Sequence, residues 1–107
     1  CIVHGTLNKL HDMNARVKEA YLFGAAISGA DEDDSWKKAY GGVKREIYNY
    51  HSQNDYVLKF LYSLGTADVL SSAAGVDGAR SRNINNRNVS DIIKSHTEYK
   101  ENLIKLI

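Results

Sequence analysis

Two residues carry the chemistry this sequence offers. Asp55 closes the run Ile47-Tyr48-Asn49-Tyr50-His51-Ser52-Gln53-Asn54, and a helical pattern opens at Tyr56 immediately after it. Such an apolar-to-polar run reads as a buried strand delivering an acid at its C-terminal edge, where ligands and catalytic groups of open α/β sheets collect. His96 follows in Val89-Ser90-Asp91-Ile92-Ile93-Lys94-Ser95-His96-Thr97. Acid then histidine is the back half of the chain order Ser, Asp, His. In such a relay the imidazole takes a proton from a hydroxyl and returns it to the leaving group, a role that suits a side chain whose free form titrates near pH ~6.5. The carboxylate holds the other ring nitrogen and stabilises the imidazolium. No nucleophilic serine is identified with them, and without one the pair has nothing to activate.

Each candidate also has a plainer use. Asp55 would cap a helix starting at Tyr56 as well as it would orient a histidine, and His96 would begin the last helix. His51 is a competing partner for Asp55. His4 and His11, seven apart on the first helix, read as surface histidines, and no third ligand accompanies them, so no metal site is expected. The acids Asp31-Glu32-Asp33-Asp34 lack the alternating spacing and glycine of a calcium loop and read as a solvated helix cap. Tyr48, Tyr50, Tyr56 and Tyr62 suit core packing better than an aromatic binding surface. Arg80, Arg82 and Arg87 read as a solvated loop rather than a site for an acidic lipid headgroup. Cys1 would need a free amine and a supporting group to act as a nucleophile, and nothing nearby supplies one.

The elements that must position the pair follow from the pattern. Ile2, Val3, Thr6, Leu7, Leu10 and Met13 recur at helical spacing and predict an amphipathic helix over residues 2–13 with those residues buried. The run 17–23, continuous over Ala20-Tyr21-Leu22-Phe23, predicts a strand covered on both faces, followed by a loop over 24–30. A helix is expected over 35–40, stopped by Gly41-Gly42, and a second strand over 43–50. A helix over 56–64 comes next, then a long Gly/Ala/Ser-rich loop with a helical turn over 65–82. A third strand over 84–89 and a closing helix over 97–107 complete the order. Alternating helices and strands imply an α/β domain with a parallel sheet and helices on its faces. Three strands and about four helices are few for such a sheet, so they read as the last strands of a larger one.

Composition bounds the function. The chain has 107 residues, 43% hydrophobic and 25% charged, which is globular rather than disordered. Its 14 basic residues are dispersed among 13 acids for a net charge of +1, which argues against a nucleic-acid surface. No apolar run approaches the ~20 residues a membrane span requires. No signal peptide is evident, and the single cysteine fits a reducing compartment. A location in the cytoplasm or peripheral to a membrane is therefore expected rather than secretion. The start at Cys1 suggests a trimmed or partial chain.

With these motifs in order, the sequence resembles the C-terminal part of a lipase-like α/β-hydrolase, in the branch of the transmembrane and coiled-coil domain-containing proteins. Gly24-Ala25-Ala26 matches a Gly-Ala-Pro strand end, and Trp36 a tryptophan before the next strand. Asn49, Ser52, Asp55, Val57 and Leu58 match an Asn-x-Tyr-Ser-x-x-Asp-x-Val-Leu pattern, followed by Phe60-Leu61-Tyr62. Ala74-Gly75, Asn88-Val89-Ser90-Asp91, and His96 with Tyr99 match later motifs. Ala26 replaces the proline, and Ser95 replaces the glycine before the histidine. The resemblance spans about residues 17–106. It implies Asp55 and His96 as acid and base of a Ser-Asp-His triad, with the Gly-x-Ser-x-Gly elbow upstream of Cys1. It implies an ester or lipid substrate, no cofactor, and the N-terminal part of the same hydrolase domain as structural partner, with this chain inactive alone. The alternative is a catalytically dead hydrolase-like module that mediates protein association.

Overall fold

Three segments pair as parallel strands in a computed structural model of the chain, which describes residues 2–30, 35–65 and 72–107. Strand β1 is Ala20–Phe23, β2 is Ile47–His51 and β3 is Ile84–Asn88, in the spatial order β1-β2-β3. Ala20 lies opposite Ile47, and Ile47 opposite Ile84. Helix α1 (Ile2–Asp12) precedes β1 and α2 (Ser35–Tyr40) follows it. Helices α3 (Tyr56–Gly65) and α4 (Ala74–Asp77) separate β2 from β3, and α5 (Glu98–Glu101) and α6 (Leu103–Leu106) come last. The architecture is α/β, a parallel sheet flanked by helices, as the alternation predicts. Cys1, the acids 31–34 and positions 66–71 of the Gly/Ala/Ser-rich segment lie outside the described residues.

Strand alternation divides the sheet into two packed faces. On one, Ala20, Leu22, Ile47 and Ile84 pack with Leu7 of α1, Trp36 and Ala39 of α2, and Ala74 of α4. Trp36 and Ile47 are fully buried, each contributing on the order of 2–3 kcal/mol. On the other face Tyr50, Ile93 and Tyr99 pack with Phe23, Tyr48 and Leu106. Cross-strand aromatic pairs follow the register here: Tyr21 stacks on Tyr48 at 5.0 Å between ring centroids, and Phe23 on Tyr50 at 4.9 Å. Of the four tyrosines expected in the core, Tyr50 is buried, Tyr48 and Tyr62 are half-buried, and Tyr56 is exposed because it projects from the first turn of α3 away from the sheet.

Several boundaries differ from the sequence expectation. Strand β2 starts at Ile47, not Val43. Val43 makes only an isolated parallel bridge to Val17, and the β2 side then holds one residue more than the β1 side before Ala20 meets Ile47. That extra residue interrupts the ladder as a bulge does. The closing helix breaks into α5 and α6 at Asn102, whose Nδ2 donates to Glu98 O at 2.9 Å and competes for a helical carbonyl. The largest difference is in α1. The helix buries His4 and Leu7, while Ile2 and Met13 are exposed. The docking surface decides this. Gly42 presses against the Leu7 backbone so closely that a Cβ there would collide with Leu7 O, and the His4 ring meets Trp36 edge-on at 4.7 Å. Ile2, Val3, Thr6 and Leu10 are left lining an open groove with Val17 and Tyr21 beside β1.

His4 is thus a core residue, not a surface one. Burial lowers its pKa below the ordinary imidazole value, and a hydrogen bond to the Ser35 backbone opposes that only partly. The unfolded chain then takes up a proton, below about pH 6.5, that the native state still refuses. The stabilisation is full above about pH 6.5 and is lost as pH falls through the lowered native value. The urea midpoint is expected to drop between pH 7.5 and 5, and to drop less in His4→Phe, which keeps the ring and removes the titration. Equal drops in both proteins would count against this account.

Candidate functional site

The C-terminal ends of all three strands deliver loops to one edge of the sheet: Gly24 after β1, Ser52 to Asp55 after β2, and Val89 to His96 after β3. The acid and the histidine meet there. Asp55 Oδ2 lies 2.6 Å from His96 Nδ1, Asp55 is wholly buried, and 41% of the His96 side chain is exposed. A carboxylate accepting from Nδ1–H leaves Nε2 unprotonated, the tautomer a general base requires. The other oxygen, Oδ1, accepts the Leu58 N–H at 2.9 Å, so Asp55 also caps α3. The two uses of the acid coexist, one on each oxygen.

Side-chain-to-backbone bonds fix the loop that carries the acid to the segment that leads to the base. Ser52 Oγ donates to Ile93 O at 2.7 Å and accepts the Asn54 N–H at 3.1 Å. Asn54 Nδ2 donates to Ser90 O at 2.8 Å, and Gln53 N to Ser90 Oγ at 2.9 Å. The Val89 N–H closes the seam on His51 O at 2.9 Å. Ser52, Asn54 and Ser90 were not among the candidate site residues. In the sequence Ser52 and Ser90 fall within the motif matches, and all three sit among turn formers that follow a strand.

Glycines make room beneath the pair. Gly24 adopts φ +59, and a Cβ there would sit 3.2 Å from both Asp55 Oδ2 and His96 Cε1 and 3.1 Å from the Tyr99 ring. Tyr99 is buried under the histidine, and its hydroxyl reaches Tyr50 O at 3.4 Å. Burial and the nearby Asp55 charge push its pKa far above the usual phenol value. Gly75 of α4 packs on the Gly24-Ala25 backbone, donating to Ala25 O at 2.9 Å while its carbonyl accepts from Ser52 N at 3.0 Å. The α4 turn therefore locks the β1 loop to the β2 loop.

The competing assignments resolve by position. His51 does not face Asp55: it is buried with Nδ1 3.1 Å from Val76 O. Asn49, wholly buried on the same face of β2, donates to Ala74 O at 2.8 Å and Asn86 Oδ1 at 3.0 Å. These two polar side chains anchor α4 to the sheet. Arg80, Arg82 and Arg87 are exposed, and Arg87 lies over the Tyr48 ring at 5.5 Å. Among the described residues no group of three or more His, Cys, Asp or Glu is placed to hold a metal ion. The serines near the pair are engaged elsewhere, Ser52 with Ile93 O and Ser95 with Thr97 Oγ1 at 3.1 Å. Beside His96 opens a cavity of about 400 Å³, walled by Gly24 and Ala26 on one side and by Val57, Leu58, Leu61 and Tyr62 of α3 on the other.

Comparison with known proteins adds family membership but no chemistry. A family model described as "Protein of unknown function (DUF726)" matches residues 2–107. The chain is 26% identical over 103 residues to an uncharacterized membrane protein of Caenorhabditis elegans, a match that takes in 95% of this chain and 16% of that protein. The chain thus spans well under a quarter of that relative's length. No solved structure matches it.

Proposed function

This chain belongs to the DUF726 family of proteins of unknown function, and we propose that the complete protein is a serine hydrolase acting on an ester or lipid, for which this chain supplies the acid and the base. The observation that carries this reading is the 2.6 Å contact between a wholly buried Asp55 and a half-exposed His96 at the carboxyl edge of a parallel sheet. His96 Nε2 takes the proton of a serine hydroxyl as the oxygen attacks the substrate carbonyl, then returns it to the leaving alcohol. Asp55, held on its far side by the Leu58 N–H, keeps the imidazole in the right tautomer and stabilises its charged form. The likeness to lipase-like α/β-hydrolases supports the same reading.

The nucleophile comes, on this proposal, from polypeptide outside these 107 residues. The two edges of the sheet support that. Ala20 N and Gly24 N donate toward β2, so alternation turns the Tyr21 and Phe23 amides toward the open side of β1. The apolar groove of Ile2, Val3, Thr6 and Leu10 runs beside that open side. The opposite edge, β3, reads Ile-Asn-Asn-Arg-Asn and is largely exposed, a polar edge of the kind that resists further pairing. A further parallel strand against β1 would cover the groove. The relative in Caenorhabditis elegans is named as a membrane protein, which fits a substrate drawn from lipid. No helix among the described residues here is long and apolar enough to cross a membrane.

The test is labelling of the complete protein by a fluorophosphonate probe. Expected is covalent label on one serine outside this chain, with labelling at least about 100-fold slower in His96→Ala. Absence of both labelling and turnover of a p-nitrophenyl ester in the complete protein would leave a hydrolase-like module without hydrolysis, and the proposal would fall.

A further inference from the structure

We propose that the substrate carries a long apolar acyl chain, which enters the cavity beside His96 and continues along α3 over Val57, Leu61 and Leu64. This deepens the hydrolase reading and rests on it for the position of the ester group. The wall of the cavity is mostly apolar, with Tyr62 and the His96 ring as its polar-bearing side chains: Ala26 from the β1 loop faces Val57, Leu58 and Leu61 from α3. Its volume of about 400 Å³ falls within the usual range of small-molecule sites.

Helix α3 presents apolar side chains outward as well as inward. Leu58 goes inward, to Ala73 and Val76. Val57, Leu61 and Leu64 are 49%, 58% and 70% exposed, although their spacing of i, i+4 and i+7 makes them one continuous stripe. Single exposed apolar side chains are ordinary, whereas a continuous stripe marks a binding surface. This one begins in the cavity wall and extends about 10 Å along the helix axis. Its near end is fixed relative to the chemistry, because the α3 N-terminus hangs on Asp55 itself through Leu58 N. An ester carbonyl placed at His96 therefore has its apolar chain led onto α3. A polar or short acyl group would leave that stripe in water.

The experiment uses the complete protein with p-nitrophenyl butyrate and p-nitrophenyl laurate. The laurate ester is expected to show a kcat/KM about tenfold or more above the butyrate ester, the scale of discrimination that added methylenes give in an apolar site. Leu61→Asp, at a more than half-exposed position compatible with folding, is expected to collapse that ratio to near one. A wild-type preference for butyrate, or an unchanged ratio in the variant, overturns the proposal. If neither ester is turned over, titration with cis-parinaric acid separates this inference from the hydrolase reading. Saturable binding weakened about tenfold by Leu61→Asp supports the apolar-chain site on its own, and absence of binding overturns it.

Discussion

Asp55→Asn, made in the complete protein, is expected on the proposed hydrolase reading to lower ester hydrolysis about 10⁴-fold while leaving the fold in place. The substitution separates the two uses of this residue. Asparagine caps a helix about as well as aspartate, so its Oδ1 can still accept the Leu58 N–H that Asp55 Oδ1 accepts at 2.9 Å. Its NH₂ group then faces His96 Nδ1, where the carboxylate oxygen sits at 2.6 Å. An amide donor there forces Nδ1 to accept, which moves the ring proton to Nε2. A protonated Nε2 cannot take a proton from a hydroxyl, and no carboxylate remains to stabilise the imidazolium. Flipping the amide restores the histidine contact only by aiming two donors, Nδ2 and Leu58 N, at each other in a buried site. That arrangement costs the cap, about 1 kcal/mol, and still lacks the negative charge. Kinetics on p-nitrophenyl laurate and a urea titration read the two effects separately. Activity within about tenfold of wild type, far short of the loss a wrong tautomer causes, would reduce Asp55 to a helix cap.

The chain order of strands and helices is legible because the first two strands announce themselves by composition and their C-terminal edges by a glycine or an acid, whereas the third, Ile-Asn-Asn-Arg-Asn, is a weaker signal. Ala20-Tyr21-Leu22-Phe23 followed by Gly24, and Ile47-Tyr48-Asn49-Tyr50 leading to Asp55, are patterns that local propensity and burial set together. The facing of α1 is not legible in the same way. Periodicity marks Ile2, Val3, Thr6, Leu7, Leu10 and Met13 as the buried stripe, of which Leu7 is buried and Leu10 half-buried against the core. The surface available to the helix, Trp36 and the bare backbone of Gly42, selects His4 where the pattern reads Ile2, Val3 and Thr6. An imidazole is amphipathic and carries no hydrophobic signal, so the buried position reads as polar. The split at Asn102 and the extra residue before Ile47 are likewise single local events inside otherwise regular patterns. Residue type and order point to Asp55 and His96, but not to what holds them. Ser52 and Asn54 reach partners at Ser90 and Ile93 across the sheet edge, and such pairings have no trace along one dimension.

The same logic singles out Gly75. Gly75→Ala is expected to destabilise the protein by about 3 kcal/mol, the upper part of the range for overpacking a tight contact. A Cβ at this position meets Ala25 N and Gly24 C, backbone atoms that cannot swing aside as a side chain can. Relief requires α4 to move off the β1 loop, and two bonds go with it. One is Gly75 N to Ala25 O at 2.9 Å, and the other Ser52 N to Gly75 O at 3.0 Å. Each contributes about 1 kcal/mol, and a broken partner left buried costs more. Gly5→Ala is the control. Gly5 sits in α1 with nothing within 4 Å of a built Cβ, so the added methyl raises helix propensity and stabilises by up to about 1 kcal/mol. The two substitutions are chemically identical and opposite in expected sign. The Gly75 effect also reaches the site, since a Cβ on neighbouring Gly24 would already lie 3.2 Å from both Asp55 Oδ2 and His96 Cε1. A displaced β1 loop alters the floor on which the imidazole rests, so on the proposed hydrolase reading fluorophosphonate labelling of the complete protein should slow even at temperatures where Gly75→Ala remains folded. Urea midpoints for Gly75→Ala and Gly5→Ala that shift together, in either direction, would show that the α4 contact is looser than the geometry requires.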